Sequence, residues 1–142
     1  MSKDSIQSLV IELQYLENAA QVLQQRINLV DAAITEIQIA NSTIEGLKKE
    51  SVGSEILVPI GGGSYIRAKI GDSEKLIVGI GANVAIEKSL SEAAESYKAR
   101  INDLQKTRAA MEKQIDQILV EIERRRQELQ KLVKEAEGKG DV

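Results

Sequence analysis

The sequence predicts a mainly α fold with a small β segment, in which two long helices form an antiparallel coiled-coil hairpin and are joined by two β-hairpins. Apolar residues recur at alternating three- and four-residue steps through both ends of the 142-residue chain, the spacing typical of a coiled-coil seam. Most of the ten glycines and the only proline lie between these two stretches. An aromatic content of 2% suits a narrow aliphatic seam better than a wide globular core.

The N-terminal helix is predicted within residues 1–50, where no glycine or proline precedes Gly46. A helix of this length spans about 70 Å and is not stable alone in water, so we expect a partner helix along its seam. The two rows of the predicted seam are Ile6, Leu13, Ala20, Ile27, Ile34 and Asn41, and Leu9, Leu16, Leu23, Val30, Ile37 and Ile44.

Residues 51–88 are predicted to form two β-hairpins, because short apolar runs alternate there with glycine-containing turns. Pro59 cannot donate to a strand ladder, so its strand is predicted to lie at an edge or to contain a bulge. Two short hairpins are marginal alone, and we expect them to pair with strands of other subunits. The predicted strands are Glu55–Ile60, Ser64–Ile70, Lys75–Ile80 and Asn83–Lys88.

The C-terminal helix is predicted over residues 89–137, with Ser89 or Ser91 and the following Glu92 forming a capped start. Gly138 and Gly140 are predicted to end it, which leaves residues 138–142 as a disordered tail. The whole chain is therefore predicted to be one subunit. Its second seam comprises Leu90, Ala94, Tyr97, Ile101, Leu104, Arg108, Met111, Ile115, Ile118, Ile122, Arg125, Leu129, Leu132 and Ala136.

Three polar residues interrupt these seams. Arg108 and Arg125 have two interpretations, namely long side chains that extend from the seam into solvent, or polar groups that fix the register of the helices. For Asn41, the simplest interpretation is that the coiled coil ends there. The run of arginines at 124–126 is surrounded by glutamates and is interpreted as a solvated helix face.

The composition argues against an enzyme. The chain has no cysteine and no histidine, which removes thiol chemistry, the usual zinc and haem ligands and the usual general base. Neither Gly61–Gly63 nor Gly79–Gly81 has the context of a phosphate-binding loop, so neither cofactor nor metal is expected. A net charge of -3 argues against nucleic acid. Without a membrane span or a signal-like start, the expected location is cytoplasmic, with no membrane contact.

The apolar residues near the two chain ends have two interpretations. They are either ordinary seam packing or an exposed apolar grip for non-native chains. These helix-end residues are Ile6, Leu9, Val10, Leu13, Leu129, Leu132 and Val133.

Residues 56–94 resemble the α-type subunits of prefoldin, in particular the archaeal form, and the flanking helices extend the resemblance to nearly the whole chain. The two hairpins favour the α class, since β-type subunits of this family have one. The matching motifs are Leu57-Val58-Pro59 before a glycine turn, Gly63-Ser64-Tyr65-Ile66, Val78-Gly79-Ile80-Gly81 and Val84-Ala85-Ile86-Glu87-Lys88.

The resemblance implies a hexamer of two α and four β subunits, built on a double β-barrel platform with six coiled coils. It implies an ATP-independent chaperone that binds unfolded polypeptides at the coiled-coil tips, here the helix-end residues, and passes them to a group II chaperonin. In the family, chaperonin docking is attributed largely to β subunits, so no docking residue is assigned. The platform residues would be Ile56, Val58, Ile60, Ile66, Ile70, Leu76, Val78, Ile80, Val84 and Ile86.

The alternative is a structural or scaffolding coiled coil, or a filament-forming prefoldin-like paralogue, that binds one defined partner. The breadth of binding separates the two hypotheses. A chaperone binds many denatured proteins and ignores their native forms, whereas a scaffold does the reverse.

Overall fold

A computed structural model of the chain describes residues 2–72 and 74–140. It contains two long helices and two small antiparallel β-hairpins, in the order predicted from the sequence. The elements are α1 (Ser2–Lys48), β1 (Glu55–Gly61), β2 (Ser64–Lys69), β3 (Lys75–Gly81), β4 (Val84–Ser89) and α2 (Leu90–Gly140).

Helix α2 continues beyond its predicted end near Ala136 and reaches Gly140. A disordered tail is therefore wrong for residues 138–140, while residues 141 and 142 lie outside the described part. A glycine costs a helix only about 1 kcal/mol relative to alanine, so two isolated glycines do not by themselves end it. At the other end, Ser89 Oγ accepts a hydrogen bond of 3.1 Å from the Glu92 amide, which makes Ser89 the N-cap.

The chain divides into two compact units. The first comprises the N-terminal part of α1, up to Ala32, and the C-terminal part of α2, from Gln105. The second is Ala33–Leu104, with the two hairpins and the adjoining helix segments.

In the first unit, the helix segments are antiparallel. Ion pairs join Glu12 to Arg125 and Asp31 to Arg108. The residue numbers of the partners therefore decrease along α2 as they increase along α1. The seam between them is aliphatic, as its spacing predicts. Its buried members are Leu9, Leu13, Ile27 and Ile122.

Every predicted seam position of both helices is buried or half-buried, which confirms the seam predicted from the heptads. The burial continues past Asn41, since Ile44 is only 2% exposed. The interpretation that the coiled coil ends at Asn41 is therefore wrong. Apolar residues on both sides, Ile37 and Ile44, keep the helix buried through this polar position.

In the second unit, each hairpin is a separate two-stranded sheet, β1–β2 and β3–β4. The core of this unit joins the helices to the second hairpin, because Leu76 and Val78 of β3 pack against it. Its buried members are Ile44, Leu90 and Ala93, and its half-buried members also include Leu47, Ala94 and Tyr97.

The two hairpins repeat one another with an offset of 20 residues. Glu55 pairs with Lys69 in the first, and Lys75 pairs with Ser89 in the second. Both ladders shift register at the same place, between Pro59 and Gly61 and between Gly79 and Gly81. The prediction for Pro59, an edge strand or a bulge, agrees with the structure, because β1 is an edge strand and its ladder shifts register there. The equivalent shift in the second hairpin occurs without a proline.

The turns of the two hairpins reach the same backbone conformation with different residues. Gly62 and Gly63 have φ of 58° and 75°, whereas Ala82 and Asn83 have φ of 50° and 61°. The left-handed region suits glycine and asparagine but strains alanine. The second turn therefore keeps its geometry despite an unfavourable residue, which indicates that the flanking strands determine it.

Candidate functional site

The hairpins of the second unit expose many large apolar side chains. Six of the ten predicted platform residues are exposed, and Ile60, Ile66 and Ile80 are more than half exposed. Exposed apolar surface of this extent is typical of an interface. The six are Val58, Ile60, Ile66, Ile80, Val84 and Ile86.

The other four predicted platform residues are partly or fully covered within the chain. Ile70 is 7% exposed, and its backbone closes the base of the first hairpin, with Gly53 N donating to Ile70 O at 2.8 Å. Leu76 and Val78 pack on the helix core, and Ile56 is half-buried. These four side chains are therefore less available to another subunit than the six above.

A second set of exposed apolar residues, Leu57, Tyr65 and Ile77, lies in the predicted platform strands but outside the ten platform residues named above. They are 63%, 62% and 81% exposed, and they alternate along their strands with predicted platform residues. Side chains of successive residues point to opposite faces of a strand. The second face of each hairpin therefore carries these apolar side chains among charged ones, since Leu57 pairs with Arg67 and Ile77 pairs with Glu87. The near-continuous apolar runs at residues 56–60 and 76–80 were the available signal.

The hairpin edges add a hydrogen-bonding capacity to this apolar surface. Each strand pairs with one neighbour, so each described sheet has two outer edges. Backbone donors and acceptors along such an edge can pair with a strand from another chain. The hairpins can thus extend into a larger sheet by strand addition.

The helix-end residues differ widely in exposure. Leu9 and Leu13 are each 7% exposed and belong to the seam, while Val10 and Val133 are 38% and 37% exposed. Ile6, Leu129 and Leu132 are half-buried. Leu129 and Val133 line a shallow groove along α2 with Gln127, Gln130, Lys131 and Lys134. These seven residues therefore contribute little exposed apolar surface while the two helices remain paired.

The two seam arginines each bridge the helices of the first unit. Arg108 Nε donates to Asp31 Oδ1 at 2.5 Å, and its Nη1 donates to Glu112. Hydrogen bonds to Asp31 and then Glu112 raise the pKa of Arg108 above its ordinary value. Both interpretations from the sequence hold in part, since the guanidinium leaves the seam but contacts a specific carboxylate on the other helix.

Arg125 repeats this arrangement nearer the chain ends. Its Nε donates to Glu12 Oε2 at 2.9 Å and its Nη1 to Glu121 Oε2 at 2.6 Å. Hydrogen bonds to Glu12 and then Glu121 raise its pKa. Arg126 also crosses to α1 and donates to Glu17 at 2.9 Å, a contact that sequence reasoning did not foresee.

The arginine run at 124–126 is therefore neutralised by nearby carboxylates. Arg124 lies 3.1 Å from Glu121, so all three guanidinium groups have acidic partners. Binding to nucleic acid needs cationic side chains that can pair with phosphates and displace the counterions of the nucleic acid. Among residues 2–72 and 74–140, no cluster of three acidic side chains is arranged to hold a metal ion. Within the same ranges, neither helix is apolar enough to cross a membrane.

Comparison with known proteins adds a family to this geometry. The family model described as Prefoldin subunit matches residues 16–135. Prefoldin subunit alpha 1 of Thermococcus kodakarensis is 39% identical over 105 residues, 72% of each chain. Prefoldin subunit alpha of Pyrococcus horikoshii is 35% identical over 130 residues, which are 88% of this chain and 87% of the relative. The resemblance stated from the β motifs is therefore confirmed.

Structural comparison gives the same fold. The cryo-EM structure of filamentous PFD from Methanocaldococcus jannaschii superposes with a TM-score of 0.70 at 25% identity. The match covers 78% of this chain and 92% of the other. The two long helices and two hairpins are thus an arrangement found in a solved structure.

Proposed function

Because this chain belongs to the prefoldin subunit family, we propose that it is an α-type subunit of an ATP-independent chaperone, which captures unfolded proteins and passes them to a group II chaperonin. Members of the family are chaperones and not enzymes. The observation that carries the proposal is the hairpin surface, where apolar side chains and strand edges are left open. The proposal includes a cytoplasmic location.

Assembly is the first part of the proposal. Two copies of this chain would join four β-type subunits, with hairpin strands pairing edge to edge. Covering Ile60, Ile66 and Ile80, which are 59%, 53% and 57% exposed, would supply the apolar driving force. Relatives named prefoldin subunit alpha over most of this chain's length support an α role.

Client capture is the second part. The exposed Val10 and Val133 would provide first contacts at the helix ends. Leu9 and Leu13 would become available when the helix ends separate, because terminal turns open at low free-energy cost. Weak apolar contacts of this kind suit release to a chaperonin without nucleotide.

The test is the native mass of the chain, alone and mixed with a prefoldin β-type subunit, by light scattering after size exclusion. We expect a closed species of two copies of this chain and four of the partner. This species should suppress aggregation of several denatured proteins and leave their native forms unbound. If no mixed species forms, or if only one folded protein is bound, the chaperone proposal is wrong.

A second candidate function is filament formation, as in a paralogue that binds a defined partner. The observation in its favour is the match to filamentous PFD. Open hairpin edges support either a closed ring or an open array. Mass that increases with protein concentration in the absence of a β-type subunit would favour the filament.

A further inference from the structure

A row of apolar side chains runs along the exposed face of α1 in the first unit. Ile11, Tyr15, Val22 and Leu29 are 65%, 75%, 43% and 72% exposed. Each follows a seam residue by two positions, and two residues turn an α-helix by about 200°. The row therefore lies on the face of α1 opposite the seam. The seam residues that precede them are Leu9, Leu13, Ala20 and Ile27.

The surroundings of this α1 row are polar but nearly uncharged. Between Asn18 and Val30, α1 has a single charged residue, Arg26. Glu12 and Glu17, which lie near Ile11 and Tyr15, form ion pairs with Arg125 and Arg126 of α2. The positions between the row members are mostly side-chain amides, and Gln24 Nε2 donates to Asn28 Oδ1 at 3.1 Å. A shallow groove of about 350 Å³ lies on the row, lined by Tyr15, Asn18, Ala19, Val22, Leu23 and Arg26.

Helix α2 provides the contrast within the same unit. Its exposed apolar residues Leu119 and Val120 lie among Asp116, Glu121 and Glu123. A helix face that only meets water is typically charged, as this part of α2 is. Four large exposed apolar residues on an uncharged face of α1 therefore indicate that this face contacts another molecule.

We infer that the α1 row is a second contact surface for non-native polypeptide, an inference that rests on the proposed chaperone function. Tyr15, Val22 and Leu29 recur about every 10 Å, Ile11 lies about 6 Å from Tyr15, and each can hold an apolar side chain of an unfolded segment. The intervening amides can donate to and accept from an unpaired backbone. Because charges are nearly absent, the row does not select clients by charge.

A second copy of this chain is the less suitable occupant. A stable helix pair needs apolar residues in both rows of its seam, and the α1–α2 seam meets this requirement almost throughout. On the opposite face of α1, only one heptad row is apolar at successive positions, namely Tyr15, Val22 and Leu29. The companion row contains Asn18 and Gln25. Such an interrupted pattern suits weak contacts with many sequences, and not one permanent helix pair.

The experiment uses the assembled complex and permanently unfolded, reduced and carboxymethylated α-lactalbumin as the probe. The variant is Tyr15→Gln with Leu29→Gln, and the matched control is Leu119→Gln with Val120→Gln. All four side chains are exposed, so both variants should assemble and keep their helix content. Affinity for the probe is measured by fluorescence anisotropy at low and high salt.

We expect the Tyr15/Leu29 variant to bind the probe about tenfold more weakly, the effect of losing two partly buried apolar contacts. The control should bind as the unmodified complex does, and salt should change little. Equal affinity for all three complexes would overturn the inference while leaving the proposed function intact. Equal losses in both variants would also overturn it, since binding would then follow total apolar area.

The native mass of each variant separates the remaining outcomes. If the Tyr15/Leu29 variant has a lower mass than the unmodified complex, the α1 row joins copies of the chain and is not a client surface. If the unmodified complex does not bind the probe, the proposed chaperone function itself fails. Each result therefore identifies which of the two claims is wrong.

Discussion

The two bridging arginines show how single residues determine the pairing of long helices. A uniform aliphatic seam tolerates sliding by one heptad, because each apolar residue then meets an equivalent apolar residue seven positions away on the other helix. Arg108 and Arg125 reach carboxylates on α1 only in one register. A slip by seven residues would separate each guanidinium from its partner by about 10 Å. The ion pairs therefore select a register more than they add stability.

Replacing Arg125 with Gln should lower the melting temperature of the complex by no more than a few degrees, since this pair is solvated. The difference should shrink at high salt because counterions screen the pair. The measurement is thermal unfolding by circular dichroism at two salt concentrations. Arg124→Gln, which breaks only a contact within α2, is the control. A larger loss in the control would contradict the role of Arg125 between the helices.

The raised pKa of both arginines also has a direction in pH. A cationic group whose pKa is higher in the folded than in the unfolded state stabilises the fold fully at a pH below its unfolded-state pKa. This stabilisation is lost as the pH rises through the folded-state pKa. For Arg108 and Arg125 both values are strongly alkaline. These arginines stay protonated between about pH 6 and 9, so their titration should leave thermal stability unchanged in that range. Different slopes for the unmodified and Arg125→Gln complexes in that range would contradict this.

Asn41 is a seam residue whose polar side chain should lower stability, in contrast to the two arginines. Its Oδ1 is buried and accepts no hydrogen bond within the described residues. Asn41→Leu should raise the free energy of unfolding by about 1 kcal/mol, because the substitution removes an unsatisfied acceptor from the seam. Urea unfolding measures the change, and the exposed Asn28→Leu is the control. A lower stability would show that the amide of Asn41 has a partner in the assembled complex.

At the scale of elements, the hairpins are the part of the chain whose structure is least self-sufficient. Each has two strands, apolar residues on both faces and two free edges. Two-stranded hairpins are marginally stable in water. The second hairpin gains support from Leu76 and Val78, which pack on the helices. The first has no equivalent pair in that core, so we expect it to depend more strongly on neighbouring subunits.

Ile66→Asp with Ile80→Asp should abolish assembly and leave the two helices formed. Both side chains are more than half exposed in the chain, so the charges meet water until another subunit covers them. Burial of an unpaired carboxylate then costs several kcal/mol. Light scattering after size exclusion gives the mass, and circular dichroism gives the helix content.

The control for this variant is Arg67→Asp with Lys75→Asp, which also adds two carboxylates to the hairpins. Both positions are already charged and exposed, so assembly should survive. An intact complex from the Ile66/Ile80 variant would show that these residues are not in the interface.

At the scale of the whole chain, assembly and capture should be separable. Deleting residues 1–10 and 130–142 removes five of the seven helix-end residues and leaves both hairpins unchanged. We expect the complex to retain its mass and to bind unfolded proteins more weakly. Binding assays with the full-length complex as reference measure the loss. Unchanged capture would show that the helix ends do not contact clients.

Most of the fold could be predicted from the sequence because its signals are local and periodic. The heptads placed every seam residue, and the glycine turns placed all four strands. One feature depended on side-chain contacts at a distance. The pairing of Arg126 with Glu17 required the register of two helices, which spacing alone does not provide. The α1 row was missed because Tyr15, Val22 and Leu29 lie outside the seam.

The repeated hairpin gives each chain two similar modules with open strand edges. A chain with two attachment modules is a divalent monomer, and divalent monomers either grow into chains or close into rings. Disabling one module converts the same chain into a stopper that caps growth. The 20-residue offset between the hairpins allows matched changes, such as Ile66→Asp and Ile86→Asp, to be made one module at a time. The ratio of stopper to unmodified chain would then control the length of any filament and the yield of any ring.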